Sequence, residues 1–545
     1  MVSVSAGRFG PRSSTVPLLV LFLGGLVLRC YHLGADSFWI DEFATLKTAT
    51  LSLSGIVAEN VGNKSFEPPL YFWGIHGLIQ TLGASELVLR FPSAVAGALT
   101  IPAIWLLTHE LTGSHRAALL SAAFLTLNPL HLWYSQEARP YALLGLFGAL
   151  AIYFLARALR QGTLGVWLGF IGSTLMAVFI HLTGLLLLAA AWAWVAARVR
   201  RPRTAVALAA ASAVVVACVA PLLWAIAHAS GDRPGTGSPP RPPSALDIPY
   251  TLFTYVGGYS FGPSLREIQN TGADAAATHP IESGAAVGVL ALVLCLVVQL
   301  RRRIPTGFTA LFAVYIGLAY LASVVTGKAY SIRYTFPALV AFMGVLAVIL
   351  RRPRGALAWT TIALLLAIFV VADAQHFLLT DYRKDDSRAV VRWLADRLPA
   401  GAVVEVAPGY VSGVLDYYAR QQDTDVRFIP SDAQDLPGRP AALLLTRLHH
   451  VTDPTAEVEH FRRSAGFVVK QDTVGGYLVW SAPTAVRATS RGPDPRGPDA
   501  RPVPSLAGGP TCRPSVPEAG AWPGAMASQV SEAFTSTVTP GNRSS

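Results

Sequence analysis

Long apolar stretches separated by short polar punctuation make up most of this chain. A hydrocarbon core of about 30 Å takes roughly 20 apolar residues per helix, and somewhat fewer where neighbours bury the ends. Stretches meeting that test run at Val16–Leu28, Pro92–Leu107, Ala117–Trp133, Tyr141–Leu159, Val166–Ile180 and Leu182–Ala197. Others follow at Thr204–Ala227, Gly284–Leu300, Gly307–Val325, Phe336–Leu350 and Ala356–Ala372. The pattern predicts a polytopic α-helical membrane protein of roughly eleven crossing helices. The apolar segment Pro68–Gly83 begins and ends on one side in this scheme. It predicts a helix lying at the interface or dipping into the protein, with buried ends.

After His376 the pattern turns soluble. Ala389, Val390, Trp393, Leu394 and Leu398 keep helical spacing, and Ala402–Val406 then reads as a strand. Val411–Ala419 reads as a helix, Val426–Pro430 and Ala441–Leu445 as strands, and Gly466–Trp480 as a closing hairpin. That alternation predicts a small α/β domain over 377–482, after a membrane module over 1–376 whose first outer loop is 34–66. The tail 483–545 is rich in Pro, Gly and Ser and predicts disorder, as does the turn-rich loop Gly231–Pro243.

Composition agrees with the pattern. The chain is 52% hydrophobic and 14% charged, where soluble domains carry about a quarter charged residues. A net charge of +11 can signal nucleic-acid binding, but the arginines cluster in short loops between apolar runs. With Arg8 and Arg12 inside, alternate spans put Arg116, Arg157, Arg160, Arg198–Arg203, Arg301–Arg303 and Arg351–Arg354 inside as well. The reading is a multi-pass protein of the cell membrane with no nucleic-acid partner. The first run is read as a retained helix, because no small-residue cleavage site follows Leu28. The C-terminal domain then lies outside the cytoplasm, and four scattered cysteines offer no disulfide framework.

The outer face collects the unusual residues. The first outer loop holds Asp36-Ser37-Phe38-Trp39-Ile40-Asp41-Glu42. Adjacent carboxylates at a membrane surface carry a desolvation cost, so they act as base or cation ligand, or they cap and open a helix. A divalent cation can sit on such a pair, but no set of oxygen ligands is spaced around it, and the metal stays unknown. No cofactor is required. Glu67, ahead of Pro68-Pro69, suits a helix start whatever else it does. Trp133-Tyr134-Ser135-Gln136-Glu137-Ala138-Arg139-Pro140 ends the third span, and Thr326–Tyr334 adds Lys328, Arg333 and Tyr334. Cations on the outer face run against the positive-inside tendency and point to an anionic ligand.

Four segments in this order resemble the GT-C superfamily of membrane glycosyltransferases, in the branch of protein O-mannosyltransferases and aminoarabinose (lipid A) transferases. They are Trp39-Ile40-Asp41-Glu42, Glu67-Pro68-Pro69-Leu70-Tyr71, Tyr134–Pro140, and Arg333-Tyr334 with Pro337; Leu89-Arg90-Phe91-Pro92-Ser93-Ala94 is also similar. The resemblance implies an inverting hexosyl- or pentosyltransferase using a polyprenyl-monophosphate-linked sugar on the outer face. It implies Asp41 as catalytic base with Glu42 beside it, and Glu67, Glu137, Arg139, Lys328, Arg333 and Tyr334 as substrate-binding. Membrane lipid is a further partner, and the acceptor, lipid, glycan or protein, is left open. The aminoarabinose branch has a lysine between the glutamate and proline of the second motif, where here Glu67 runs straight into Pro68. A transporter or flippase of lipid-linked sugars is the competing class. Such proteins place ionisable groups within their spans, whereas these spans are nearly free of them.

Overall fold

The computed structural model describes residues 12–62, 67–198, 202–229, 243–326, 330–351, 355–431, 433, 440–447, 451, 453–465 and 470–481. Lys328, the tail 483–545 and the turn-rich loop up to residue 242 lie outside the described residues.

Each of the apolar runs is helical, one of them with a break. Seven are long and apolar enough to cross a membrane: Glu86–Thr112, Tyr141–Gln161, Pro202–Ala227, Pro280–Arg303, Thr306–Thr326, Ile332–Leu350 and Ala356–Leu378. Four shorter ones, Thr15–Cys30, His115–Leu127, Leu164–Ile180 and Leu182–Arg198, complete the set. The chain is a multi-pass membrane protein. At its centre stands Phe336–Leu350, buried along its whole length. Small residues let neighbours approach it, as expected where helices associate by close packing rather than by hydrophobic exclusion. A Cβ at Gly148 would come within 2.9 Å of Pro337, and one at Gly344 within 2.3 Å of the Phe308 ring.

One expected span differs. The run Ala117–Trp133 is broken into His115–Leu127 and Pro129–Ser135. Pro129 forces the residue before it out of the helical region, and Asn128 is extended (φ −69°, ψ 119°). The Asn128 Oδ1 then accepts from the His131 N–H at 2.9 Å and restarts the helix in a new direction. The Asn128 side-chain amide donates to the Tyr255 carbonyl at 2.8 Å, which fixes the break.

The outer loops are helical too. Ile40–Ala49 packs on Pro69–Leu82, where the His76 Nδ1 meets the Ala49 carbonyl at 2.9 Å. After Leu378 comes a five-stranded sheet of β1 (Val403–Ala407), β2 (Arg427–Pro430), β3 (Ala442–Leu445), β4 (Lys470–Val474) and β5 (Tyr477–Ser481). Its order is β2-β1-β3-β5-β4. β1 runs parallel to both neighbours, with Val404 level with Phe428 and Ala442. The hairpin β4–β5 joins antiparallel through Gly475-Gly476, both at positive φ. A Cβ on Gly476 would strike Arg266 and Asp385, so a glycine is required there on two counts. Helices Ser387–Ala395, Ser412–Gln421 and Pro454–Ala465 flank the sheet, and the sequence pattern had not marked the last.

This sheet is not packed by itself. Phe38, Leu46, Ile56, Phe72 and Ile75 of the outer loops share one core with Val390, Leu394, Val404, Leu415 and Tyr418. The Phe38 N–H donates to Tyr418 Oη at 2.6 Å and the Ser387 N–H to Ser37 Oγ at 2.9 Å. The first outer loop is therefore clamped between the membrane helices and the C-terminal sheet.

Candidate active site

A helix turns about 100° per residue, so Asp41 and Glu42, adjacent near the start of Ile40–Ala49, point to different neighbours. Glu42 is fully buried. Its Oε1 accepts from Arg90 Nε (2.8 Å) and the Ala138 N–H (2.9 Å), and its Oε2 from Arg90 NH2 (2.7 Å) and the Trp39 N–H (3.3 Å). Arg90 spends its remaining donors on the carbonyls of Leu33, Asp36 and Ser37, each at 2.9 Å. All five guanidinium N–H groups are thus committed to one loop. Burial pushes the Glu42 carboxyl up, but the charges of Arg90 and Lys384 and the hydrogen bonds from Arg90 and Ala138 bring it down to about 2.

That arrangement makes Glu42 a brace for the loop. Breaking a buried pair leaves an uncompensated charge, which costs about 3–5 kcal/mol. Glu42→Ala should therefore lower the thermal unfolding temperature in detergent and the folded yield. A Glu42→Gln protein as stable as the parent yet devoid of turnover would put Glu42 in the chemistry instead.

Asp41 faces the other way. Its Oδ2 meets Arg333 NH1 at 2.5 Å, joining the first outer loop to the turn Ile332–Thr335, 292 residues on. Arg139 donates to the Asp41 carbonyl (3.3 Å), Thr45 Oγ1 (3.2 Å), Tyr141 Oη (3.3 Å) and the Glu67 carboxylate. Tyr141 Oη in turn donates to Glu67 at 3.1 Å. The guanidinium carbons of Arg139 and Arg333 lie 5.7 and 5.6 Å from the Tyr141 ring centre, within cation–π range. Tyr334 stands beside Arg333, its ring centre 4.9 Å from that of His181. Burial pushes the Asp41 carboxyl up, yet Arg333, Arg139 and Arg447 together outweigh it and hold Asp41 well below the ordinary carboxylate range.

Glu137 is the exception in this network. It is fully buried and, among the described residues, its carboxylate accepts no hydrogen bond; Lys384 stands 3.6 Å away. Burial lifts its pKa, Lys384 opposes, Glu42 and Asp41 add to the rise, and the balance is about 7. A raised folded-state value means that ionisation is easier in the unfolded chain. The resulting stability is fully present below the ordinary value of 4.5 and is lost as pH rises through about 7. Glu137→Gln should match the parent in melting temperature near pH 4.5 and exceed it at pH 8. Parallel melting curves across that range would refute the assignment.

The structure thus gathers Asp41, Glu67, Glu137, Arg139, Arg333 and Tyr334, while Glu42 is turned away toward Arg90. Sequence reasoning overlooked Arg90 as the brace, because the apolar count began that span at Pro92, whereas the helix starts at Glu86 and carries Arg90 buried within it. It also overlooked Lys384 and Arg447, which come from the C-terminal region. No sequence spacing links those two to Trp39. Among the described residues no group of three or more His, Cys, Asp or Glu side chains could hold a metal ion.

Residues 66–224 match the family model of dolichyl-phosphate-mannose-protein mannosyltransferases. The match spans the second and third motifs and Arg90. An uncharacterized protein of Aquifex aeolicus (strain VF5) is 28% identical over 163 residues, 29% of this chain. The aligned stretch spans 33% of that relative's length. ArnT from Cupriavidus metallidurans in the apo state aligns at a TM-score of 0.48 and 11% identity, over 86% of this chain and 98% of that one. The oligosaccharyltransferase AglB of Archaeoglobus fulgidus, in complex with an inhibitory peptide and a dolichol-phosphate, gives 0.45 and 12%, over 89% and 76%.

Proposed function

We propose that this protein transfers a sugar from a polyprenyl-monophosphate-linked donor to an acceptor hydroxyl at the outer face of the cell membrane, with its C-terminal sheet outside the cytoplasm. The observation that carries the reading is the Asp41–Arg333 pair: a carboxylate and a guanidinium joined at a span end. Asp41 takes the acceptor proton as the acceptor oxygen bonds to the anomeric carbon. The bond from that carbon to the phosphate oxygen breaks, and its electron pair leaves with the polyprenyl phosphate. Attack opposite the leaving group inverts the anomeric centre.

Arg333 links binding to basicity. Paired with Arg333, Asp41 is too acidic to be a good proton acceptor; a phosphate that draws Arg333 away lets its pKa rise. The same guanidinium then faces the charge that develops on the leaving phosphate. Arg139, held by Glu67 and Tyr141, supports the Asp41 backbone and Thr45. Glu42 serves through Arg90 as a positioning residue.

The test is reconstitution in sealed liposomes with a labelled polyprenyl-phosphate sugar and a cell-envelope extract as acceptor. Label should pass to the acceptor. Transbilayer movement of the donor without transfer would identify a flippase and defeat the proposal.

A further inference from the structure

A cleft is lined by Trp39 and Trp133 of the membrane module together with Lys384 and Arg447 of the segments after it. We propose that it is the acceptor subsite, and that Lys384 and Arg447 there hold an anionic, phosphate-bearing group of the acceptor. The proposal rests on the transferase reading above.

The fold puts the cleft where a sheet of this kind binds ligands. Thr446 and Arg447 follow the C-terminal end of β3, and Tyr410, which meets Arg447, follows that of β1. Carboxyl ends of adjacent parallel strands are the usual ligand edge of an α/β sheet. Arg447 has φ +47°, a left-handed backbone that a branched-chain or long side chain adopts rarely and at a cost. From there its guanidinium lies 5.0 Å from the Trp39 ring centre, and its charge reaches Asp41. Lys384 Nζ lies 5.1 Å from the Trp39 ring centre and 5.3 Å from that of Trp133.

The two cations are nearly buried, with side chains 10% and 12% exposed, yet loosely paired. Lys384 stands 3.6 Å from Glu137 and Arg447 3.8 Å from Asp385, both beyond hydrogen-bonding distance. Asp385 is shared with Arg266 at 3.2 Å. Glu137, titrating near neutrality, supplies only part of a counter-charge. By contrast Arg90–Glu42 and Arg333–Asp41 close at 2.7 and 2.5 Å. Buried cations with donors to spare are completed by an anion from outside the chain.

The source of that anion is the acceptor rather than the donor. A lipid-linked phosphate arrives along a span end, where Arg333 opens Ile332–Leu350. The cleft instead is roofed by the C-terminal sheet region, and its lining of charged and hydroxyl-bearing side chains suits a water-soluble glycan or polyol. An acceptor anchored there by its phosphate brings a neighbouring hydroxyl toward Asp41.

The experiment is calorimetric titration of the full-length protein in lipid nanodiscs with sn-glycerol 3-phosphate, and with glycerol as control. Glycerol 3-phosphate should bind and glycerol should not. Lys384→Met and Arg447→Gln should each weaken it by about tenfold or more, the worth of one charge-assisted hydrogen bond. Glu137→Gln, which removes the competing carboxylate, should tighten it. Undecaprenyl phosphate affinity should stay at the parent value in Lys384→Met and Arg447→Gln. Equal binding of glycerol and its phosphate, or titrations that neither cation variant changes, would overturn the subsite. A fall in undecaprenyl phosphate affinity in Lys384→Met and Arg447→Gln would assign the cations to the donor and equally overturn it. The titration involves no turnover, so it can fail while transfer stands, and transfer can fail while it succeeds.

Discussion

Asp41→Asn is expected to lower the transfer rate by about 10²-fold or more, with abundance near that of the parent and donor binding equal or tighter, since the Asp41 charge no longer competes for Arg333. Asparagine keeps the shape and can still accept a hydrogen bond from Arg333, but it takes up no proton near neutral pH. The stability of the outer loop rests on Glu42 and Arg90 rather than on Asp41, so the variant should remain folded. Single-turnover transfer from a labelled donor measures the chemical step directly. A rate within a factor of a few of the parent would remove Asp41 from the role of base.

Arg333→Ala is expected to cost about 10²–10³-fold in transfer, the range for removing one fixed donor from a developing anion. Arg333→Lys should recover only part of it, since an ammonium cannot match the two-point grip of a guanidinium on phosphate. The pH profile separates this role from mere support. In the parent, Asp41 is held well below the ordinary carboxylate range while Arg333 is its partner. The acid limb of kcat/KM, which reports the free enzyme, should therefore fall at lower pH than the acid limb of kcat, where donor phosphate competes for Arg333. In Arg333→Ala both limbs should move up toward the usual carboxylate value and coincide. Limbs that stay apart in the variant would show that Arg333 is not what depresses Asp41.

The architecture was readable because a bilayer tolerates little variety. An apolar stretch of the right length in lipid must satisfy its backbone internally, and a helix does so from local bonds alone. The eleven runs accordingly became helical, seven of them long and apolar enough to cross a membrane where about eleven crossings were expected, and Ala117–Trp133 is interrupted. There the hydropathy was continuous while Asn128-Pro129 broke the backbone, a signal present in the residues but outvoted by the apolar count. The first three strands of the C-terminal region fell within a residue of their expected places, and the hairpin opens at Lys470 rather than Gly466, because short apolar runs between turn residues mark themselves locally.

The chemistry was legible only in part. Asp41, Glu67, Arg139 and Arg333 stood out as charged residues where apolar neighbours make charge costly, and folding brings them together. The pairing among them was not readable, because partners 72 and 292 residues apart are set by packing rather than spacing. Asp41 and Glu42 look equivalent as neighbours in a chain. A helix turn and one arginine, Arg90, send one into a sealed brace and leave the other beside Arg333.

By itself, then, the sequence determined the membrane helices, the α/β segment after them and the stock of charged groups at the span ends, since each of these follows from local composition and periodicity. The tertiary structure decided that Glu42 closes on Arg90 while Asp41 meets Arg333, and that the C-terminal region packs against the first loop. Shared burial of Phe38, Ile56 and Phe72 with Val390, Val404 and Tyr418 draws that region onto the first outer loop. Lys384 and Arg447 then reach Trp39 across more than 340 residues of chain. Apolar surfaces this remote find each other because water is excluded from both, and that force leaves no periodic mark in the residues it joins.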